Sequence, residues 1–272
     1  MTRILHVSDL HFGASSVPEQ VEALQGIVAA SRWDAVVVSG DLTQRTRTRE
    51  YVRARTFLDA VRAHAPVLCV PGNHDTEWWL APMGLGATAA MHGRYRQFVS
   101  PLLEPELRCS GALIVGVNSS QGIRPFTLTT RPRDLSVVGA VRPHQWASAA
   151  SRLAAAGSDL KVLVLHHNLL RGHLSNRWGL ASHAAGITDA AATGADLVLC
   201  GHDHEERVAE VTVGHRRVIV STASTLTTRV RHHRPASFNI IESDVASVHI
   251  TVMSWNAPAR AFAPGETRCF AR

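Results

Sequence analysis

The chain has 272 residues, a hydrophobic share of 45% and a formal net charge of +6. This length suits one large α/β domain, and no apolar run approaches the roughly 18 residues of a membrane-spanning helix. The four cysteines form no Cys-x-x-Cys pair, which argues against a thiolate zinc site and favours reduced, structural thiols. Because the first predicted strand begins almost at Met1, there is no room for a signal peptide, and we expect a cytoplasmic location.

Arginine carries nearly all of the positive charge, since Lys161 is the only lysine. A basic chain can attract nucleic acid or phosphorylated substrates. The densest basic run, residues 229–234, is short, and no basic tail is present. Nucleic acid is therefore an open but not a favoured partner, and the sequence leaves the oligomeric state undetermined.

The first third of the chain alternates between apolar strands and amphipathic helices. Strands are predicted at residues 3–8, 34–39 and 66–70, and helices at residues 18–31 and 48–64. Such alternation implies a parallel sheet with right-handed crossovers.

The middle of the chain is less regular, and the last quarter is rich in strands. Residues 76–105 are predicted as a long loop with a helix near 92–99, and residues 121–140 as a loop or hairpin over the site. Further helices are predicted at residues 143–156 and 182–192, and strands at 112–117, 161–165, 197–200, 207–213, 217–221, 236–241 and 247–253. Two mixed sheets packed together with helices outside is the simplest architecture, and we expect a single domain over residues 1–272.

Five polar signatures each begin where an apolar strand ends. They read Asp9-Leu10-His11, Gly40-Asp41, Gly72-Asn73-His74-Asp75, His166-His167 and Gly201-His202-Asp203-His204. Ligands of open α/β sheets bind outside the carboxyl ends of the strands, so a shared sheet would bring all five to one edge. Carboxylate, imidazole and amide groups without thiolates suit hard or borderline metal ions. The pattern therefore predicts a site for two metal ions.

The spacing within the signatures supports this interpretation. Asp9 and His11 are two residues apart, which in an extended segment places both side chains on one side. Asp41 can bridge two ions with its two oxygens, and Asn73 offers a carbonyl oxygen without adding charge. The glycines in three signatures allow the sharp bends by which the chain leaves each strand.

In this order, the series resembles the signature of the calcineurin-like metallophosphoesterases, and in particular their phosphodiesterase branch, which includes class III cyclic-nucleotide phosphodiesterases. The resemblance implies a four-layer αββα sandwich, the metallo-dependent phosphatase fold, with two bound ions of Mn, Fe or Zn. It also implies ligand sets for the two ions. The first ion would be held by Asp9, His11, Asp41 and His204, and the second by the bridging Asp41 with Asn73, His166 and His202.

The resemblance further implies that a hydroxide bridging the two ions attacks phosphorus in line. His74 would donate a proton to the leaving group or bind a phosphoryl oxygen. Asp75 would either orient His74 or cap the following segment. Substrate-binding positions are assigned to Arg45, Arg171 and His167, and His167 could instead be a supporting or merely buried residue.

Other residues are weaker candidates for the edge of the site. Arg124 and Arg131 are further candidates for phosphate binding, although a solvated surface position is the simpler interpretation of each. The tryptophans Trp78 and Trp79 either stack on a nucleobase or pack under the loop. The histidines proposed for the edge of the site are His173, His183, His232 and His233.

At two positions this chain departs from the patterns of related branches, and these departures narrow the range of expected substrates. The protein-phosphatase branch has Asp where this chain has Gln44, which argues against a phosphoprotein phosphatase. Cyclic-nucleotide phosphodiesterases often have proline after the paired histidines, where this chain has Asn168. We expect hydrolysis of small phosphodiesters of the cyclic-nucleotide or glycerophosphodiester type. The alternatives are a DNA or RNA nuclease, a nucleotide-diphospho-lipid pyrophosphatase and, least favoured, a non-catalytic scaffold.

Overall fold

The computed structural model describes residues 1–232 and 234–272, and of Arg133 it describes the backbone alone. The predicted edge residue His233 lies outside the described residues. In chain order, the strands are β1 (Thr2–Val7), β2 (Ala35–Val38), β3 (Val67–Cys69), β4 (Glu106–Cys109), β5 (Ala112–Gly116), β6 (Leu160–Val164), β7 (Leu197–Cys200), β8 (Arg207–Val213), β9 (Arg216–Thr222), β10 (Ser237–Ser243), β11 (Ser247–Asn256) and β12 (Ala261–Ala271). The α-helices are α1 (Pro18–Ala30), α2 (Thr48–Arg62), α3 (Gly93–Phe98), α4 (Pro143–Ala154) and α5 (His183–Ala192).

The strands form two six-stranded mixed sheets. The first has the order β12-β11-β10-β1-β2-β3, and the second has the order β4-β5-β6-β7-β9-β8. In the first sheet β1, β2 and β3 are parallel, whereas β10 joins β1 in antiparallel register. In the second sheet β5, β6, β7 and β9 are parallel, and β4 and β8 close the edges in antiparallel register.

Successive side chains of the central strands point to opposite faces of the sheet, which separates the hydrophobic core into layers. In β1, Leu5 packs with α1 and α2 on the outer face, while Ile4 packs between the two sheets. In β5, Leu113 faces α4 and α5, while Ile114 faces the first sheet. Because both faces of these strands are buried, their sequences are continuous apolar runs. The predicted αββα sandwich is confirmed.

The predicted elements agree with the structure except at two sheet edges. Residues 121–140 carry two 3₁₀ turns, Pro125–Thr127 and Pro132–Asp134, and no strand, so the loop alternative is confirmed there. Strands β4 and β12 were not predicted. The first is short and half-exposed, and the second contains Pro264 and Gly265, which are unusual inside a strand except at an edge. Within the described ranges, no helix has the length and apolarity needed to cross a bilayer.

Candidate metal centre

The five polar signatures meet at the carboxyl ends of β1, β2, β3, β6 and β7. Backbone hydrogen bonds join the loops that follow these strands. Asp9 N donates to Gly40 O at 3.0 Å, and Gly201 N donates to His166 O at 2.8 Å. His202 N donates to Asp9 Oδ2 at 2.8 Å and joins the second sheet to the first, so the signature side chains converge at one shared edge.

One group of donors forms around Asp9. The Oδ1 atom of Asp9 lies 3.1 Å from His204 Nε2 and 3.5 Å from His11 Nε2. The two imidazole nitrogens of His11 and His204 lie 3.0 Å apart. These three buried side chains, one carboxylate and two imidazoles, are arranged as a metal site requires.

A second group forms around Asn73. Its Oδ1 atom lies 3.1 Å from His166 Nε2 and 3.0 Å from His202 Nδ1. The two imidazole nitrogens are 3.3 Å apart. The group thus consists of one neutral amide oxygen and two imidazole nitrogens that face each other.

Asp41 lies between the two groups. Its Oδ2 atom is 3.4 Å from His166 Nε2 and 3.7 Å from His11 Nε2, so one oxygen faces a histidine of each group. Its Oδ1 atom accepts a hydrogen bond from His74 N at 2.8 Å. Asp41 is thus a carboxylate that faces imidazoles of both groups.

Backbone carbonyls orient three of the imidazoles. The Nδ1 atoms of His11, His166 and His204 lie 3.3, 2.8 and 2.9 Å from the carbonyl oxygens of Thr43, Ser39 and Arg229. A proton on each Nδ1 then donates to the carbonyl, which leaves the Nε2 lone pair directed into the site. This tautomer is the one a metal ligand needs.

The donor set fits a cation because its lone pairs converge and a buried carboxylate oxygen among them has no hydrogen-bond donor in the described part of the chain. The Oδ1 atom of Asp9 is buried and has no hydrogen-bond partner in the described part of the chain. A buried, unpartnered carboxylate oxygen is strongly destabilising unless a positive charge compensates it. The facing nitrogens of His11 and His204 are explained in the same way.

The electrostatics of the cluster point in the same direction. Burial by itself would raise the pKa of Asp9, but His204 and His11 hold it well below its usual range. Burial lowers the pKa of His11 to about 4. For His166, burial favours the neutral form, but Asp41 outweighs it and raises the pKa to about 9. Two buried carboxylates thus stay ionised and attract positive charge.

The signature residues adopt an unusual backbone conformation. Five of the predicted ligands have positive φ angles: Asp9 (55°), His11 (40°), Asp41 (52°), His202 (74°) and His204 (56°). Left-handed conformations are uncommon in residues other than glycine and are concentrated at functional sites. The surrounding hydrogen bonds therefore hold strained turns that direct these side chains into the cluster.

Two motif glycines are needed for close packing rather than for bending. A Cβ atom at Gly72 would lie 2.0 Å from Asp41 Oδ1, and one at Gly201 would lie 1.8 Å from Ser8 Oγ and 2.6 Å from Asp9 Oδ2. Neither glycine has a left-handed φ, so the predicted role in bending is corrected for both. Only glycine leaves room for the carboxylates behind it.

His74 lies at the mouth of the cluster, where it lines a cavity with Asp41, Asn73 and His202. Its ring packs edge-on against His11, with centroids 4.8 Å apart, and its Nδ1 lies 2.7 Å from Gln44 O. The Asp75 carboxylate instead accepts hydrogen bonds from the backbone N–H groups of Leu42, Thr43 and Gly72. These bonds tie together the loops that carry Asp41 and Asn73, which is neither of the two roles predicted for Asp75, the orientation of His74 or the capping of the segment that follows.

The three predicted substrate-binding residues lie in different places. Arg45 lines a cleft of about 600 Å³ together with His74, Trp78 and Trp79. Arg171 instead lines a separate cleft of about 380 Å³, which corrects its assignment to this site. The substrate-binding role predicted for His167 is also corrected, for the reason given next.

The ring of His167 is fully buried behind the cluster. Its Nδ1 lies 2.8 Å from Ser119 Oγ, and its Nε2 lies 2.9 Å from Val137 O. It packs against the rings of His166 and His202, with centroids 4.9 and 4.5 Å apart. Because both ring nitrogens have protein partners, His167 supports the ligands and is not available to a substrate.

The sequence analysis missed three arginines at the mouth of the cluster. Arg177, Arg229 and Arg231 line a cavity of about 180 Å³ with Asp41, Asn73, His74 and His202. Arg229 Nη1 lies 3.4 Å from His11 Nε2. The basic run at residues 229–234, interpreted above in terms of nucleic acid, is the available signal for Arg229 and Arg231, and Arg177 lies outside it.

Apart from the two tryptophans, the remaining edge candidates in the described part of the chain lie outside the two cavities at the cluster. The structure places His173 in a cleft beside β8 and β12, stacks His183 on Trp178, and places Arg131 beside Arg171. Arg124 donates to Gln121 O, and His232 belongs to neither cavity. Trp78 and Trp79 border the 600 Å³ cleft, so both of their predicted roles stay open.

Comparisons with known proteins agree with this geometry. The family model described as Calcineurin-like phosphoesterase matches residues 2–206. "Glycerophosphodiester phosphodiesterase GpdQ" of Enterobacter lignolyticus is 38% identical over 87 residues, or 26% of this chain and 29% of that protein. A "Probable cyclic nucleotide phosphodiesterase" of Rhodococcus erythropolis is 28% identical over 179 residues, or 60% of this chain and 51% of that protein. The matches span less than two thirds of either relative.

A solved structure shares the fold. The purple acid phosphatase PPD1 from yellow lupin seeds superimposes with a TM-score of 0.70 at 11% identity, covering 100% of this chain and 54% of that chain. At this identity, the likeness concerns the fold alone. The family match covers more than half of the chain and includes all five signatures. The chain therefore belongs to the calcineurin-like phosphoesterase family.

Proposed function

We propose that the protein is a metal-dependent phosphodiesterase that hydrolyses small phosphodiesters, of the cyclic-nucleotide or glycerophosphodiester type. The observation that carries the proposal is the convergence of seven donor side chains around Asp41, with the buried Asp9 Oδ1 left unpartnered. The phosphodiesterase names of the two sequence relatives support the same class of substrate.

In this proposal the seven side chains hold two ions of Mn, Fe or Zn. Asp9, His11 and His204 hold the first, Asn73, His166 and His202 hold the second, and Asp41 contacts both. Imidazole, carboxylate and amide donors suit all three metals, so the donor set leaves the metal identity open. When bound, such a pair of ions activates water and neutralises charge on the phosphoryl oxygens.

The chain's own residues would orient the substrate and handle the proton. His74 is fixed through Nδ1 by Gln44 O, which leaves Nε2 to donate a proton to the leaving-group oxygen or to bind a phosphoryl oxygen. Arg229, beside His11, would stabilise negative charge on the phosphoryl group. One substituent of the diester would occupy the cleft between Arg45 and the two tryptophans.

The direct test is turnover of bis-p-nitrophenyl phosphate by protein loaded with Mn²⁺. We expect Asp41→Ala to abolish turnover and the surface variant Glu22→Ala, in α1, to retain it. An Asp41→Ala protein with full activity would contradict the bridging role. Loss of activity in both variants would point to a defect unrelated to the site.

Two further assays separate the alternatives. Faster turnover of p-nitrophenyl phosphate than of the diester would favour a phosphomonoesterase, and cleavage of single- or double-stranded DNA in a gel assay would favour the nuclease. We also propose that residues 1–272 act as one domain. In support, β10, which follows the family match, pairs with β1 along five registered positions.

A further inference from the structure

The large apolar side chains that are exposed to solvent are concentrated around the mouth of the metal centre. Twelve are exposed in the described part of the chain, and the four outside this region, Met1, Val52, Leu102 and Val245, are scattered. The other eight lie on three loops beside the site: Trp79, Leu80, Met83, Leu85, Phe126, Leu128, Leu135 and Trp178. Leu85 is the most exposed of them, at 75%. Isolated apolar residues need no explanation, but a cluster of this kind marks an interaction surface.

The three loops are neighbours. The Arg124 guanidinium lies against Gly84, and Trp78 lies against Gly122, which joins the first loop to the second. The cleft that holds Trp79 is closed on its other side by Ser136 and Val137. A second cleft is lined by both Leu128 and Trp178, which joins the second loop to the third. The three loops that carry the eight side chains thus adjoin one another beside the site.

The loops around the site also carry the excess of positive charge in the chain. We define the rim as residues 44–47, 78–86, 124–137, 171–178 and 229–231. It contains nine arginines and a single acidic residue, Asp134, so the rest of the chain holds 19 basic and 21 acidic residues. Arg231 lies 3.7 Å from Asp203. Among the rim arginines whose side chains the structure describes, the others have no carboxylate within salt-bridge distance.

We propose that the rim docks on the surface of an anionic lipid bilayer. Exposed Leu, Met, Phe and Trp side chains gain free energy by entering the boundary between headgroups and acyl chains, and arginines are attracted to anionic headgroups. Five of the eight apolar side chains are aliphatic, and residues 78–86 carry no charge. Aliphatic side chains cannot stack on bases, and nucleic-acid sites depend on charge and stacking, so a lipid surface explains the rim better than a nucleic acid does.

Docking in this orientation would place the metal centre against the headgroup layer. This consequence rests on the proposed function, whereas the docking itself does not. If both hold, phosphodiesters presented at the bilayer surface would reach the cleft between Arg45 and the tryptophans without leaving the interface.

Co-sedimentation with vesicles tests the proposal on the full chain. We expect binding to phosphatidylcholine vesicles that contain phosphatidylglycerol, and at least several-fold weaker binding to vesicles of phosphatidylcholine alone. High salt should weaken the binding by screening the arginines. Equal binding to both kinds of vesicle, or to neither, would overturn the proposal.

Two double variants show whether vesicle binding depends on the rim or on exposed apolar side chains in general. Leu85→Ser with Leu128→Ser changes two rim loops, whereas Leu102→Ser with Val245→Ser removes two exposed apolar side chains elsewhere. We expect the rim variant to bind anionic vesicles about tenfold or more weakly, since each leucine contributes by burial of its apolar surface. The control should bind like the parent. A rim variant with parental vesicle binding would overturn the proposal.

Two other occupants of the rim would give different results. Binding to a single-stranded oligonucleotide but not to vesicles would assign the rim to nucleic acid, and a dimer in solution that the rim variant dissociates would assign it to a second copy. Turnover of bis-p-nitrophenyl phosphate, measured on the same preparations, keeps the two proposals distinct. Full turnover without vesicle binding overturns the docking alone, and vesicle binding without turnover overturns the proposed function alone.

Discussion

We call the seven proposed metal ligands, Asp9, His11, Asp41, Asn73, His166, His202 and His204, the cradle. The cradle and the rim around it both depart from the usual distribution of polar and apolar groups, but in opposite directions. The cradle buries ionised carboxylates and imidazoles among the ends of the strands, whereas the rim exposes leucine, methionine and tryptophan to solvent. Each arrangement is unfavourable by itself. Each therefore indicates a ligand, and the chemistry differs: cations for the cradle and a partly apolar, negatively charged surface for the rim.

The two regions also differ in how strongly the fold determines them. Cradle residues are held by backbone hydrogen bonds, by left-handed turns and by glycines that admit no Cβ atom. Rim residues lie on 3₁₀ turns and loops. Substitutions should therefore disturb chemistry and stability in the cradle, and association in the rim.

The largest effect should come from removing a cradle donor. His202→Ala deletes the nitrogen that faces Asn73 and His166, and we expect kcat/KM for bis-p-nitrophenyl phosphate to fall by about 1,000-fold, more than the 10-fold to 100-fold typical of residues that support ligands. The exposed His64→Ala is the matched control and should change the rate less than twofold. A His202→Ala enzyme whose kcat/KM lies within tenfold of the parent value would contradict the difference expected between cradle and surface residues.

His92 is a buried histidine that belongs to neither the cradle nor the rim. Burial and nearby arginines lower its pKa from 6.5 to about 4, so the folded protein keeps it neutral. The unfolded chain binds the additional proton between these values, so stability falls as the pH decreases from 6.5 to 4. The loss is at most about 3 kcal/mol.

Urea unfolding at several pH values, with a chelator present, measures this dependence. His92→Gln should flatten the curve between pH 4 and 6.5 relative to the parent. An unchanged slope in the variant would show that His92 is not held neutral by the fold.

Adding one methyl group should distinguish the packed cradle from open surface. Gly201→Ala would force Ser8 and Asp9 to move, and we expect a loss of about 1–3 kcal/mol in the free energy of unfolding. Gly26→Ala, in the interior of α1 with no atom near its Cβ position, should instead stabilise by about 0.5–1 kcal/mol. Opposite signs in denaturant titrations are expected, and a neutral Gly201→Ala would contradict the packing argument.

The smallest effect should come from a residue that supports the cradle from behind. His167→Gln removes the ring that packs on His166 and His202 and that bonds to Ser119 and Val137. We expect metal affinity or kcat/KM to fall by about 10-fold to 100-fold. Activity regained at high Mn²⁺ concentration would show that the residue acts through the ligands. Loss that metal does not relieve, with a raised KM, would instead indicate substrate contact.

The sequence predicts the sheet cores and the cradle well because both leave periodic or ordered patterns. Strands buried on both faces appear as apolar runs, and each signature follows such a run. The edge strand β12 escaped prediction because Pro264, Gly265 and its exposed polar residues break the alternation of a strand.

Features that depend on tertiary contacts could not be predicted from the sequence. Arg177 and Arg229 reach the site from loops that sequence spacing does not bring together, and His167 differs from His166 only in which way its ring points. The left-handed turns at Asp9 and Asp41 follow from hydrogen bonds between loops, such as that of Asp9 N with Gly40 O. The rim could not be predicted either, since its exposed apolar residues are spread over three segments that only the fold brings together.

The most direct test of the central claim is a crystal structure of the protein grown with Mn²⁺, with anomalous diffraction data. The account predicts two anomalous peaks flanking the Asp41 carboxylate, one beside Asp9, His11 and His204 and the other beside Asn73, His166 and His202. A single peak, or none within bonding distance of Asp41, would contradict it.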